Sequence, residues 1–468
     1  MTLHHSIKMR LLLAATVAMT AATAHAQALQ TAYFDDGFLY RHTLNPAMGN
    51  DRNFVAVPAL GNVNADMHGN LSYKDIVRDN PLYPGQSGKK KTTFMNPYLS
   101  DPLDGFSTGW NRTGAEATLT VLAGGFKAWG GYNTVELNAR STTHVKLPYE
   151  LFRFAVNTGN DNYDIGDLYA NTQDYVELAL GHSRDLNKKW RVGAKVKLLL
   201  GIADADVSMT GVRAKLTGST WTLTGDAAAH MSMKGWKYKV GQKDYKAQSG
   251  SYTYINDVDV DGAGIGGVGL ATDLGAVYRP DTHWEVSAAL LDLGFIHWSN
   301  DCYATNADKT FSFDGFHDTG VKSSQGNTAD DQWDKYSDQI AQFYNMQDQG
   351  DRGGRTTMLA GRLNVGAAYT LPGYDKLRLG LLSATRFWGE HTWTECRLGA
   401  TWKPLSWIDG AVSFSAGTDP VNMGWVVNIH PKGFNMFVGM DRLPGTMSKE
   451  MIPVGGNASL SMGMNVTF

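Results

Sequence analysis

The chain has 468 residues, with 42 Lys and Arg against 45 Asp and Glu and a net charge of −3. A charge so small and balanced excludes a surface built for polyanions, so nucleic acid is not an expected partner. No run of 18 or more apolar residues follows residue 26, which excludes a transmembrane helix there, and two cysteines, Cys302 and Cys396, are too few for a disulfide scaffold.

Glycine is abundant, at 52 residues, aromatics make up 11%, and the mean hydropathy is −0.29. Such averages arise when lipid-facing and lumen-facing residues cancel along every strand of a membrane barrel. In chain order, Lys8 and Arg10 precede an apolar run from Leu11 to Thr23 and a small-x-small site, Ala24-His25-Ala26. Residues 1–26 therefore read as a secretory signal peptide. No cysteine follows the cleavage point, so lipidation there is not expected. Residues 27–50 are expected to form a plug-like N-terminal segment, and 51–468 the barrel.

Strands announce themselves by period-two alternation. Val176, Leu178 and Leu180 oppose Tyr175, Glu177, Ala179 and Gly181. After a polar turn at 183–189, Trp190, Val192, Ala194, Val196, Leu198 and Leu200 oppose Arg191, Gly193, Lys195 and Lys197. The two read as one hairpin. Trp284, Val286, Ala288 and Leu290 oppose His283, Glu285 and Ser287. Leu377, Leu379 and Leu381 oppose Arg378 and Gly380, and Cys396, Leu398, Ala400 and Trp402 oppose Glu395, Arg397, Gly399 and Thr401. Turn chemistry marks Arg279-Pro280-Asp281, 371–375, Lys403-Pro404 to Ser406, and Pro431-Lys432-Gly433.

Charges that recur opposite Leu and Val do not suit a dry sandwich core, but they suit a wet lumen. Glu177, Arg191, Lys195, Lys197, Arg378, Glu395 and Arg397 are the lumen-facing candidates. Trp190, Trp284 and Trp402 fall at strand ends, where an interfacial girdle belongs. Ala458 to Phe468 alternates without a break, over about the 9–11 residues a tilted transmembrane strand needs. The expected fold is all-β, a transmembrane antiparallel β-barrel of about 14 strands, with short helical insertions in loops or lumen. Long insertions are expected near 76–108, 201–263 and 299–356. Helices are expected from Leu147 to Ala155, with Pro148 in the first turn, and from Asp331 to Tyr344, with Trp333, Tyr336, Ile340 and Phe343 on the packed face.

The terminal Phe468 resembles the C-terminal assembly signal of bacterial outer-membrane barrels. Leu44-Asn45-Pro46-Ala47 resembles the N-P-A segment near the start of FadL-type fatty-acid transporters and PorV-type shuttle proteins of type IX secretion. Asp273-x-Gly275-x-x-Tyr278-x-Pro280, followed by 291–298, resembles their D-x-G-x-x-Y-x-P hairpin. The chain as a whole looks most like an uncharacterised branch of such barrels, a domain-of-unknown-function family. The resemblance implies the outer membrane of a Gram-negative bacterium, with membrane lipid and the barrel-assembly machinery as partners. Asn45, Pro46 and Ala47 become the plug candidates.

Three other motifs carry less. Gly105-Phe106-Ser107-Thr108-Gly109 matches a nucleophile elbow literally but lacks the strand–turn–helix frame. The G-x-G-x-x-G at 262–267 has no βαβ unit around it. Asp257, Asp259 and Asp261 open like a calcium loop, but Val268 stands at the twelfth position, so a solvated acidic loop is expected. The 13 histidines show no close-spaced ligand pattern. No enzyme, cofactor or metal site is expected. Two readings remain. One is passive transport of a small or hydrophobic solute, with an open lumen and a ligand pocket near the plug. The other is a non-conducting scaffold or shuttle that holds a secreted protein by its loops, with a filled lumen and an exposed apolar loop patch.

Overall fold

A computed structural model describes residues 29–83, 90–157, 159, 161–262, 264–319, 327–445 and 456–468; the expected signal peptide and Gln27 lie outside them. Fourteen strands among these residues close an antiparallel barrel. Strand β1 is broken into Phe54–Ala56 and Val63–Gly69. It is followed by β2 (Trp110–Ala128), β3 (Gly131–Pro148), β4 (Asn162–Asp185), β5 (Trp190–Lys215), β6 (Gly267–Tyr278) and β7 (Trp284–Trp298). The circuit is completed by β8 (Gly361–Thr370), β9 (Leu377–Phe387), β10 (Trp393–Leu405), β11 (Ile408–Gly417), β12 (Asn422–Ile429), β13 (Phe434–Met440) and β14 (Ala458–Thr467). Both pieces of β1 pair with β14 on one side and β2 on the other, with Phe54 opposite Thr467 and Val63 opposite Met462. No edge is left open, as hydrocarbon requires.

The alternation sorts the wall. Leu178, Leu180, Val196, Leu198, Leu379, Leu381 and Leu398 point outward and exposed, while Glu177, Lys195, Lys197, Arg378 and Arg397 are buried inside. On β14, Met462, Met464 and Val466 face out and Ser461, Asn465 and Thr467 face in; Phe468 is 73% exposed. Trp190, Trp284 and Trp402 lie outward at the end with short turns, with Trp190 against Tyr278 (4.6 Å), Trp284 against Tyr369 (4.8 Å) and the Trp402 Nε1 donating to the Tyr374 hydroxyl (3.0 Å). Most turns fall where the residues place them. Two differ: the turn expected at 183–189 begins only after Asp185, where β4 ends, and after β10 the strand runs through Lys403 and Pro404 to Leu405, with a register shift, and turns only at Ser406-Trp407. A proline within a strand is tolerated at such an irregularity.

The other end departs from the loops expected there. Strand β5 pairs with β6 as far as Gly201, then continues to Lys215 against a strand over Trp221–Met233. That strand pairs in turn with Cys302–Asn306 and Thr310–Phe313, and Cys302–Asn306 pairs with Met346–Asp351. The acidic stretch is a strand too: Ser251–Val260 forms a hairpin with Trp236–Asp244, setting Asp257 and Asp259 beside Lys239. Unpaired backbone groups there are satisfied by extending the sheet rather than by loops.

Three α-helices occur among the described residues: α1 (Tyr73–Ile76), α2 (Tyr149–Val156) and α3 (Ala329–Tyr344). Pro148 caps α2 rather than sitting in its first turn. Tyr336 and Phe343 of α3 are buried as expected, together with Gln332 and Ala341, but Trp333 is 60% exposed. Cys302 is buried at the loop end, Cys396 is exposed on the outer wall, and both are free.

Candidate functional site

The lumen is occupied by residues 29–50, two short 3-10 turns (Gln30–Ala32 and Arg41–Thr43) linked by bends. Almost every side chain in this segment is buried. Phe38, Leu39 and Tyr40 pack with Phe54, Tyr132 and Phe437; Tyr33, Phe34, Leu44 and Met48 pack with Val277 and Leu382. Both apolar clusters lie inside the barrel.

Two strand glycines make room for the segment's last turn. A Cβ on Gly275 would stand 2.1 Å from the Asn45 Oδ1, and one on Gly193 would stand 2.2 Å from the Pro46 carbonyl oxygen. Asn45 closes that turn itself, its Oδ1 accepting from the Ala47 amide at 2.9 Å. Its Nδ2 reaches toward the Ala288 carbonyl of β7 at 3.3 Å, and Asn364 of β8 donates to the Leu44 carbonyl at 2.9 Å.

Charged side chains meet the segment and one another in three groups. At the turn end, Asp36 takes Arg41, Arg378 (2.9 Å) and Lys403 (3.4 Å), and Glu285 takes Arg378 (2.8 Å) and Arg41 (3.5 Å). Midway, Lys195 bonds Glu136 (2.9 Å) and His42 (3.1 Å). Lys197 bonds Asp273 (2.8 Å) and Asp292 (2.6 Å), and Arg140 bridges Asp292 (2.8 Å) and Glu177 (3.2 Å). Toward the loop end, Arg442 holds Asp66 (2.8 Å) and Glu395 (2.9 Å), and Arg397 holds Glu395 (2.5 Å) and Ser413 (2.9 Å). Asp441, next to Arg442, accepts from the amides of Gln30 and Thr31, each at 2.7 Å. Apart from Asp36 and Lys403, which reach solvent at the turn-end mouth, these charges are largely buried and each has a partner, as burial of charge demands.

The seven lumen candidates thus fall into separate places. Glu177, Lys195 and Lys197 meet in the middle, Arg378 stands at the turn end, and Glu395 and Arg397 stand toward the loop end. Arg191 stays at the turn-end mouth, bonding Asp185 (3.1 Å) and Ser183 (3.1 Å). A polar cavity of about 50 Å³ remains in the middle, lined by residues that include Glu136, Arg140, Glu177, Lys195, Asp273 and Arg362. That is room for a few waters. Sequence reasoning missed Glu136 and Arg140, although Thr134, Glu136, Asn138, Arg140, Thr142 and His144 alternate with Val135, Leu137 and Ala139 along β3; that alternation was the available signal. Asp66 shows the same signal, since Asn64, Asp66 and His68 alternate with Val63, Ala65 and Met67; Asp36, Arg41 and Arg442 carry no such pattern and are found only by contact.

The remaining motifs resolve into structure. Phe106 of the literal elbow packs against Phe94 and Phe152, and the Ser107 amide donates to Asn111. Asp273 of the hairpin motif accepts from the Asp292 amide at 2.7 Å while pairing with Lys197. Asp292 itself has φ of 57°, a left-handed conformation that is unusual outside glycine.

Among solved structures, the toluene transporter TbuX of Ralstonia pickettii is similar at 9% identity, with 91% of each chain covered and a TM-score of 0.40. A Pseudomonas aeruginosa FadL homologue is similar at 11% identity, with 90% of this chain and 91% of that chain covered and a TM-score of 0.33. The toluene transporter TodX of Pseudomonas putida is similar at 10% identity, with 90% of each chain covered and a TM-score of 0.37. No curated protein matches the sequence. Residues 46–441 match the model of a family of unknown function, DUF5723, and the chain belongs to that family.

Proposed function

We propose that this protein is an outer-membrane barrel of a Gram-negative bacterium that passes a small polar solute when residues 29–50 are displaced, and is closed otherwise. One observation carries the reading: a separate chain segment occupies the lumen beside the wall's own charged side chains, next to a cavity lined by carboxylates, lysines and arginines. A lining of that chemistry favours a polar solute over the hydrophobic one that the family resemblance raised. The apolar outer band with tryptophans at its turn end supports placement in a bilayer. Membrane lipid and the assembly machinery, through Phe468, are the partners this placement calls for. Residues 27–50 are then the plug and 51–468 the barrel, with Asn45, Pro46 and Ala47 seating the plug on Gly193 and Gly275.

A scaffold reading keeps one specific support. The lumen is filled, and Trp333, Trp221 and Phe316 are exposed on the loop-end elements, where a secreted protein could rest. Single-channel recording in a planar bilayer separates the two. The full barrel is expected to be silent and the folded variant lacking residues 27–50 to conduct in discrete steps. A folded deletion variant that stays silent would overturn the transport reading.

A further inference from the structure

Three buried side chains near the loop end of the lumen remain outside both the plug contacts and the expected sites. His68 of β1 lies in register with Gly114 of β2, and Gly114 with His144 of β3. The two histidines therefore share one row across three strands, with only a glycine between them. A Cβ on Gly114 would stand 2.7 Å from both the His68 Nε2 and the His144 Nδ1, so the missing side chain lets the rings lean together, 5.0 Å apart at their centroids. Glu116, two residues further along β2, faces the same way, with Oε1 3.7 Å from the His144 Nε2. One ligand atom from each residue lies within 4.8 Å of the others.

Burial and orientation point to a ligand. His68, Glu116 and His144 are 3%, 4% and 5% exposed. Among the described residues, neither the His68 Nε2 nor the His144 Nε2 has a hydrogen-bond partner, an unusual state for buried polar nitrogen. The His68 Nδ1 bonds the Asp66 carboxylate at 3.0 Å, and Arg442 grips that carboxylate through both oxygens. This is the outer support that fixes a ligating imidazole with its far nitrogen turned to the ion.

We propose that His68, Glu116 and His144 bind one divalent transition-metal ion of the zinc class, with a fourth position open to water. Two imidazoles and one carboxylate match that ion's preferences better than those of calcium or magnesium, which favour all-oxygen shells. Around a tetrahedron with bonds of about 2.0–2.2 Å, ligand atoms stand roughly 3.4 Å apart, so small side-chain rotations close the site. Arg386 also contacts Glu116, and the ion shares or displaces that contact. The site shares Glu116 with the lining of the central cavity, but ion binding does not require that the barrel conduct.

The test uses tag-free, full-length barrel in detergent, stripped with a chelator and titrated with zinc chloride by calorimetry, then with cobalt(II) by visible absorption. The folded wild type is expected to take one ion per chain and to give a four-coordinate cobalt spectrum. His68→Gln and His144→Gln are expected to weaken binding by more than the ~10–100-fold that loss of a supporting carboxylate costs. No binding to the folded wild type, a cobalt spectrum of water ligation alone, or binding in both folded variants as tight as in the wild type would overturn the proposal. The wild-type spectrum decides the matter even if a variant fails to fold.

Discussion

The two ends of this barrel obey the same pairing rules and come out differently. Strand β5 shows both within one element. From Trp190 to Leu200, outward apolar residues alternate with buried Lys195 and Lys197. From Ala203 to Lys215 the strand faces Trp221–Met233 instead of β6, and its sense reverses along the way: Val207 is exposed and Asp204 buried, but beyond Gly211 it is Arg213 and Lys215 that are exposed and Val212 and Ala214 that are buried. Inside a bilayer, outward positions must be apolar, because hydrocarbon cannot solvate anything else, and charge collects inside. Beyond it both faces can meet water, so the pattern loses its constraint while the backbone still demands partners. The turn end is therefore regular and its connections short; the loop end grows extra strands, a hairpin and α3.

That difference can be broken or sharpened by substitution. The largest effect is expected at the middle charge cluster. Lys197→Met leaves Asp273 and Asp292 without their shared cation and should destabilise the barrel by about 3–5 kcal/mol, read as a lower urea midpoint in gel-mobility unfolding. Arginine on the outer wall tests the membrane boundary directly. Val196 (61% exposed) and Val207 (43% exposed) lie outside the lumen on the same strand. Val196→Arg should cost about 2–4 kcal/mol, whereas Val207→Arg should stay within about 0.5 kcal/mol. Equal costs at the two positions would place the boundary elsewhere.

Gly275→Ala should force the Asn45 turn off the wall at about 1–3 kcal/mol, and limited proteolysis should then cut within 29–50 faster than in the wild type. The smallest effect is expected at α3, where the Thr328 hydroxyl accepts from the Asp331 amide at 3.2 Å. Thr328→Ala should cost about 1 kcal/mol of local stability, seen as faster amide exchange over 329–333. The Asp331 carboxylate accepts from the Thr328 amide and hydroxyl, which hold its pKa below the usual carboxylate range. That contribution is complete above the unfolded carboxylate pKa and is lost as pH falls through the lower folded one, so α3 should loosen only in acid.

Much of the wall was legible. Val176 to Gly181, Trp190 to Leu200 and Ala458 to Phe468 place themselves by alternation alone, and the turns at Pro280 and Pro431 by their residues. Trp333 was misplaced because helical periodicity cannot tell a packed face from an exposed aromatic. Lys403-Pro404 was misread as a turn because a register shift in β10 lets the strand carry the proline. At the site, Lys195 and Lys197 were visible as inward charges, but their partners Glu136, Asp273 and Asp292 belong to other strands.

By itself, then, the order of residues determined which side of the clearly alternating strands meets lipid and gave the strand number only as about 14, since a period of two is a local property that bilayer contact enforces position by position. Only the closed tertiary structure decided what fills the lumen and which charge meets which. Those contacts join residues hundreds of positions apart, such as Thr31 with Asp441 and Asp66 with Arg442, and no local spacing encodes them. The physical reason is burial: once closure removes water from the interior, each charge must find an opposite partner or a hydrogen bond there, and the register of distant strands determines which one lies within reach.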